Sequence, residues 1–397
     1  MRKKAMFAML LCIGILLAAG LPVCTAKTFT IPKAVIAAAA ADYSSGAHSI
    51  ATVDPVNGKR TIINNLVPTI SDISVAAFGQ YFYRLERYNA DSITKFNISK
   101  PSTAIWQFST MDAGEVQSSN PHDMVFYSAK KAFVLRYGST KAWIVNPSAT
   151  KEANFKIGEL NLSAYKDQDG IPDMNSGVIV GDKLFVVMER LNANRNWNPD
   201  NTPYVAVFNA KTNKEINTGK GSGGLKGIPL PIRSPSTIVY LKENDTIYIQ
   251  GNGGWAGSSD PNLVYTGGIV ALNPKTYKTK LIVNDGNAKK HPYGNITALG
   301  IASKTQGYFV GYDGWGDNTL YRFNPTTGKV LGKLGSIFQH INIAGMSTSI
   351  PVDKNKILWV CDQTNARVLL LKTTTNKAVG TLKTNLNPIQ VIFIPEP

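Results

Sequence analysis

The chain has 397 residues, 42 of them lysine or arginine against 26 aspartates and glutamates, a formal net charge of +16, and three cysteines. With 43% apolar and 17% charged residues it falls outside the disordered class. Its length buries enough apolar surface to fold without covalent staples, and so few cysteines exclude a disulfide-built scaffold.

Taken in chain order, Met1-Arg2-Lys3-Lys4 precedes an apolar run over residues 5–21 and then Cys24-Thr25-Ala26. A basic start, a short hydrophobic stretch and small residues at a cleavage point predict a secretory signal peptide over residues 1–26. The mature chain then begins at Lys27, without a transmembrane segment, and is extracytoplasmic: periplasmic, surface-bound or secreted. The alternative is a lipoprotein anchored through Cys24, which Pro22 and Val23 fit poorly. Cys12 and Cys24 leave with the leader. Cys361 remains, inside the apolar run Ile357-Leu358-Trp359-Val360-Cys361, where a buried, inert thiol is expected.

Beyond the leader one pattern recurs at intervals of about fifty residues: an apolar strand, a turn of Asn, Asp, Pro, Thr and Gly, then a basic residue. It reads Val53-Asp54-Pro55-Val56-Asn57-Gly58-Lys59, Phe96-Asn97-Ile98-Ser99-Lys100, Val145-Asn146-Pro147 and Phe208-Asn209-Ala210-Lys211-Thr212. It returns as Leu272-Asn273-Pro274-Lys275-Thr276, Phe323-Asn324-Pro325-Thr326-Thr327-Gly328-Lys329 and Leu371-Lys372-Thr373-Thr374-Thr375. Pro presets φ and Asn or Gly tolerates positive φ, so these are hairpin turns. Between them lie paired apolar strands such as Gly177-Val178-Ile179-Val180 with Leu184-Phe185-Val186-Val187, and Thr297-Ala298-Leu299-Gly300-Ile301 with Gly307-Tyr308-Phe309-Val310.

Four short strands per repeat make one propeller blade. The chain enters at residues 34–42 in the second strand of a blade and ends on Ile389-Gln390-Val391-Ile392-Phe393-Ile394, which is the missing innermost strand. The expected fold is all-β: one domain over residues 27–397, a seven-bladed β-propeller with the C-terminal strand joining the N-terminal blade. Ring closure of this kind removes open sheet edges.

The segments Asn120-Pro121-His122-Asp123, Ala132-Phe133-Val134-Leu135-Arg136-Tyr137-Gly138 and Trp143-Ile144-Val145-Asn146-Pro147 resemble the YVTN-repeat (YncE-like) family of bacterial secreted propellers. The resemblance covers most of the mature chain, although no repeat spells out the Tyr-Val-Thr-Asn core. It implies an extracytoplasmic binding or surface protein, and it carries over no catalytic residue.

With strands a to d counted outward from the axis, the recurring turns are c–d turns on one face. The b–c loops and d–a connectors then share the other face. Three long b–c loops each place one tryptophan among Gly, Asn and Asp: residues 191–203 with Arg195 and Trp197, residues 250–263 with Trp255, and residues 312–318 with Trp315. Exposed indole is costly unless it packs or binds, so Trp197, Trp255, Trp315, Arg195 and His122 form a candidate ligand-binding face. The alternative is packing between neighbouring loops. In the connector from blade three to four, Asp167-Gln168-Asp169-Gly170-Ile171-Pro172-Asp173 sets three carboxylates around a glycine bend, a candidate Ca²⁺ loop built on Asp167, Asp169 and Asp173. It lacks the third acid and terminal Glu of an EF-hand, and the alternative is an acidic cap.

His48, His122, His291 and His340 are expected on the same face, His48 in a b–c loop and the others in d–a connectors, where a transition-metal site is conceivable but unsupported by spacing. The stretch 219–227 is rich in glycine but lacks a phosphate loop's Gly-Lys-Ser/Thr ending and reads as a connector. Lysines such as Lys211, Lys275, Lys278, Lys280, Lys329, Lys333, Lys377 and Lys383 fall in outer strands and c–d turns, where they block edge pairing. Nucleic acid is therefore not the expected partner, and an anionic envelope polymer is secondary. The expected function is an extracytoplasmic binding or interaction protein for a protein, glycan or small molecule, with calcium as a candidate stiffener. The alternative is a metal-dependent hydrolase or lactonase-like enzyme drawing on His122, Asp123 and Asn175, or a metal or metallophore carrier. No Cys-x-x-Cys-His supports haem.

Overall fold

A computed structural model describes residues 33–54, 57–255, 260–312, 314, 318–341 and 348–394. The expected leader and Trp315 lie outside the described residues. Why the chain forms blades is visible in its c–d turns. In the turns at Asn97, Asn146, Asn209, Asn273 and Asn324 the side-chain oxygen accepts the backbone N–H two residues on, at 2.9–3.0 Å. This local bond closes the turn without help from tertiary structure, which accounts for the recurring asparagine.

Among the described residues six antiparallel four-stranded sheets and one three-stranded sheet result, each meandering outward from the axis. Blade one contains Lys33–Ala39, Gly46–Val53 and Arg60–Thr69, with Asn387–Phe393 as its innermost strand. That strand runs antiparallel to the first, pairing Ala34 with Phe393 and Ile36 with Val391, so head and tail close the ring as expected. Blades two to six begin at the axis with Ile73–Phe78, Pro121–Ser128, Met174–Val180, Pro235–Leu241 and Asn295–Ser303. Blade seven keeps a regular ladder only over Ile357–Asp362, Arg367–Lys372 and Lys377–Lys383. Residues 349–352 hold its inner position through Cys361 N to Ser349 O (3.2 Å), Trp359 N to Pro351 O (3.0 Å) and a Val352–Leu358 bridge. Pro351 has no N–H to give a ladder, which is why the strand is irregular here.

Seven buried apolar clusters hold the sheets together, one at each seam between neighbouring blades. A strand therefore buries both faces. Ala34 and Ile36 pack against blade seven, while Val35 and Ala37 pack against blade two. This two-sided burial explains why the second strands, such as Lys183–Met188 and Ile357–Asp362, read as nearly unbroken apolar runs rather than as alternating ones. Cys361 is fully buried at the seam of blades seven and one, and burial raises its thiol pKa, as expected of an inert cysteine. The outer lysines Lys275, Lys278, Lys280, Lys329, Lys333, Lys377 and Lys383 are exposed. Among the described residues no helix is long and apolar enough to cross a membrane.

The seams are also stapled by polar side chains on the c–d turn face. Lys95 Nζ donates to Pro147 O (2.7 Å), Lys131 Nζ to Lys211 O (3.2 Å), Lys183 Nζ to Pro274 O (3.0 Å) and Gln306 Nε2 to Thr373 O (2.5 Å), each reaching the c–d turn of the next blade. Lys183 also lies 4.6 Å from the ring centre of Tyr277. Lys183→Met keeps the stem and removes both interactions, at a cost of about 1–2 kcal/mol. The expected fall in melting temperature is about 2–5 °C. An unchanged melting temperature would show that this staple carries no stability.

Candidate functional site

The inner strands enclose a channel on the axis, a cavity of about 810 Å³ lined from all seven blades. Four of the contacts that position its walls are hydrogen bonds from one inner strand to the next. Gln390 Oε1 accepts from Val75 N (2.8 Å), Ser74 Oγ donates to His122 O (2.8 Å), Asp123 Oδ2 accepts from Gly177 N (3.0 Å) and Ser349 Oγ accepts from Val391 N (3.2 Å). Gly177 fits closely where it stands: a Cβ would lie 3.0 Å from Val125 Cγ2 and 3.1 Å from Phe185 O, so any side chain would make its neighbours shift.

On the b–c loop face the mouth of this channel is polar. Asp72 and Arg87 enter from blade two, His122 and Asp123 from blade three, Asn175 from blade four and Gln363 from blade seven. Arg87 Nε lies 3.3 Å from Asp72 Oδ1, and Arg87 Nη2 meets His122 Nε2 at 2.5 Å. The guanidinium can only donate, so Nε2 accepts and the imidazole proton sits on Nδ1. The ring stacks on Tyr137 with centres 4.1 Å apart. Tyr137 Oη in turn donates to Glu189 Oε2 (2.8 Å), and Asn175 Nδ2 donates to Glu189 Oε1 (2.9 Å). One continuous network thus runs from Asp72 across three blades to Asn175.

Its charges are set by burial. Burial and the neighbouring Arg87 cation hold the His122 pKa well below the usual range, so the ring is neutral. Burial lifts Glu189 to about 7, opposed by the Tyr137 hydrogen bond and by Arg87. Asp123 is lifted to about 6 by burial, although Gly177 N and Met124 N both bond its carboxylate. Asp173 is lifted furthest, to about 9, by burial and then by the charges of Glu189 and Asp169. Among the described residues no serine or cysteine side chain bonds the His122 ring, and both Asp123 oxygens are held by backbone amides. The arrangement presents fixed hydrogen-bond donors rather than an activated nucleophile.

The acids and the first tryptophan loop, expected as separate features, turn out to be joined. Asp167 Oδ2 accepts from Asn201 Nδ2 (3.0 Å), Asp169 Oδ2 from Ala193 N (3.2 Å) and Asp173 Oδ2 from Leu191 N (2.6 Å). Each carboxylate therefore spends an oxygen tying the Trp197 loop to the blade three–four connector. Among the described residues no three His, Cys, Asp or Glu side chains form a group that could hold a metal ion. Trp197 and Trp255 are 50% and 39% exposed on adjacent b–c loops, and neither lines the channel. Arg195 is half-exposed and ion-paired with Asp200 at 3.0 Å.

The histidines do not gather. His48 lies within the third strand of blade one instead of a loop, fully buried, bonded through Nε2 to Pro101 O (2.8 Å) and packed against Phe82 and Phe96. His122 is the second residue of an inner strand, not part of a connector. His291 stacks on Tyr265 with centres 4.0 Å apart, and His340 is exposed. The glycine-rich stretch 219–227 lies within blade four, between the Asn209 turn and Ile228–Pro229, where Ser222 Oγ meets Tyr204 Oη (3.2 Å) and Gly227 N donates to Tyr165 Oη (2.7 Å), and it joins no two blades. Sequence reasoning missed Asp72, Arg87, Tyr137 and Glu189. A signal was present, because the second strands of several blades end on polar residues: Glu86-Arg87, Arg136-Tyr137, Glu189-Arg190 and Asp362-Gln363.

Similarity to known proteins reaches the fold and stops there. No protein-family profile matches the sequence, and no curated protein matches it. Among solved structures, a candidate 6-phosphogluconolactonase from Bacteroides fragilis has 11% identity and a TM-score of 0.62, covering 93% of this chain and 99% of its own. A second, from Bacteroides uniformis, has 10% identity and a TM-score of 0.63 over 92% and 99% of the two chains. Apo AztD from Citrobacter koseri has 11% identity and a TM-score of 0.53 over 92% and 98%. These likenesses support a propeller; the finer YVTN-repeat resemblance gains nothing from them.

Proposed function

We propose that the protein is an extracytoplasmic binding protein whose small-molecule ligand enters the polar mouth of the central channel, on the face that carries the Trp197 and Trp255 loops. The observation that carries this reading is the Arg87–His122 pair, held in place by Asp72 and Tyr137 at the edge of a cavity of about 810 Å³. Pockets of this size with a few convergent polar groups are the usual form of a ligand site.

Calorimetric titration against a panel of sugars, organic acids and short peptides tests it. Arg87→Ala and His122→Ala should each weaken the ligand found by about tenfold or more, as loss of a charged hydrogen bond does. Binding that survives both changes but vanishes in Trp197→Ala would move the site to the loops. In the same reading calcium stiffens this face through Asp167, Asp169 and Asp173. The expected result is a calcium-dependent rise in melting temperature that Asp169→Ala removes. A flat response across the titration would leave these acids as ties of the Trp197 loop alone.

A second reading is a lactonase-like hydrolase. The assignment given to the two Bacteroides fold relatives favours it, as does the placement of His122, Asp123 and Asn175 together on the channel wall. Turnover of sugar lactones that is lost in His122→Ala would establish it over simple binding.

A further inference from the structure

The channel is not uniform around its circumference. Among the described residues its charged side chains, Asp72, Arg87 and Asp123, come from blades two and three alone, with the neutral imidazole of His122 between them and the amide of Asn175 beside them on blade four. Blades five to seven supply Ile238, Val239, Leu299, Ile301, Ile350 and Val352, together with the uncharged polar side chains of Ser236, Thr237, Thr348, Ser349 and Gln363. Charge is thus confined to one side of the channel, and most of its aliphatic surface lies on the other, within a single cavity of about 810 Å³.

We infer that the ligand is an amphiphilic monocarboxylate: one carboxylate head on an aliphatic body. The inference rests on the proposal that the channel binds a small molecule, and it narrows that proposal to one chemical class. For the head, Arg87 uses Nη2 on His122 and turns Nε toward Asp72, while no hydrogen bond from Nη1 to a described residue occurs. The Arg87 side chain is 28% exposed and lines the cavity. His122 likewise lines it, with its Nδ1–H unbonded to any described residue. Two donors, one of them cationic, call for an anionic acceptor. Asp72, 3.3 Å from the guanidinium, already balances much of that charge. A single carboxylate is therefore tolerated better than a phosphate dianion, which Asp72 and Asp123 would repel. For the body, the aliphatic surface of blades five to seven rewards a chain that leaves water.

A homologous series of linear monocarboxylates from butanoate to decanoate, kept below micelle-forming concentrations and titrated calorimetrically into the full chain, tests the inference. Affinity should rise by roughly three- to fourfold per methylene. Decanol, without the anionic head, should bind at least about tenfold more weakly than decanoate. Arg87→Gln should erase the difference between decanoate and decanol, and Ile301→Ser should flatten the chain-length series. Where a variant does not fold, as judged by circular dichroism, the wild-type series decides by itself. Gluconate binding more tightly than decanoate, with dependence on Arg87, would overturn this inference and leave the channel a ligand site. Failure of the wider panel and of the carboxylates alike would overturn the binding proposal itself.

Discussion

Raising the pH from about 5.5 to about 9 should lower the melting temperature by roughly 5–10 °C, against the common expectation for a protein rich in carboxylates. Among the described residues seven acids have pKa values raised in the fold: Asp173 to about 9, Glu189 and Asp285 to about 7, Asp123 and Asp167 to about 6, and Glu86 and Asp353 above the usual carboxylate range, in each case chiefly through burial. The unfolded chain releases these protons near pH 4. Between that value and the folded pKa the native state holds more protons than the unfolded state, so stability falls as pH rises through the window. Each such group costs about 1.4 kcal/mol per pH unit across its own window, and only part of this survives relaxation of the site. At the acid end the trend reverses. Asp182 and Asp245 sit below the usual range through hydrogen bonds from Lys211 and Lys275, and that small contribution is lost only as they protonate.

Asp173→Asn isolates the largest part. Asp173 is fully buried with φ +55° and an Oδ1 that has no hydrogen-bond partner, and asparagine both tolerates that backbone and mimics the neutral acid. The substitution should raise the melting temperature at pH 9 and leave it almost unchanged at pH 5.5. A fall at both pH values would mean that the carboxylate is charged and needed.

A chain ending at Leu386 should fail to fold cooperatively. It loses Asn387–Phe393, and with it every ladder bond to Lys33–Ala39 on that side, the Gln390 and Ser349 links to the neighbouring inner strands, and the packing of Val391, Ile389 and Ile392 at two seams. Burial of each such side chain contributes about 1.5–3 kcal/mol, so the sum competes with the whole stability of a typical domain. Far-ultraviolet circular dichroism and a melting curve read the outcome. A synthetic peptide of residues 387–394 added in trans should restore a cooperative transition. If the shortened chain melts cooperatively near the full-length temperature without peptide, closure by the tail strand is not what holds the ring.

Much of the architecture was legible because its causes are local. An asparagine that closes its own turn, as at Asn209 or Asn273, leaves the same mark in five of the seven repeats, and strands buried on both faces leave nearly unbroken apolar runs. The tail strand could be matched to the head because blade one lacked an innermost strand in sequence. The site was legible only in part. His122, Asp123 and Asn175 were singled out and do line the channel, whereas Arg87, Tyr137 and Glu189, which give the mouth its charge and geometry, were not. They end strands that otherwise look like core.

By itself, then, the sequence determined an all-β ring of seven blades, its mode of closure and the two sets of loops, since turn chemistry and burial periodicity act within a few residues of chain. Only the tertiary structure decided what those loops do. It tied Asp167, Asp169 and Asp173 to the Trp197 loop, buried His48 away from the face it was expected to share, and confined the channel's charge to blades two and three while placing most of its aliphatic surface on blades five to seven. Such pairings depend on the angle at which one blade stands to another. That angle follows from packing at seven seams and leaves no periodic trace in the chain.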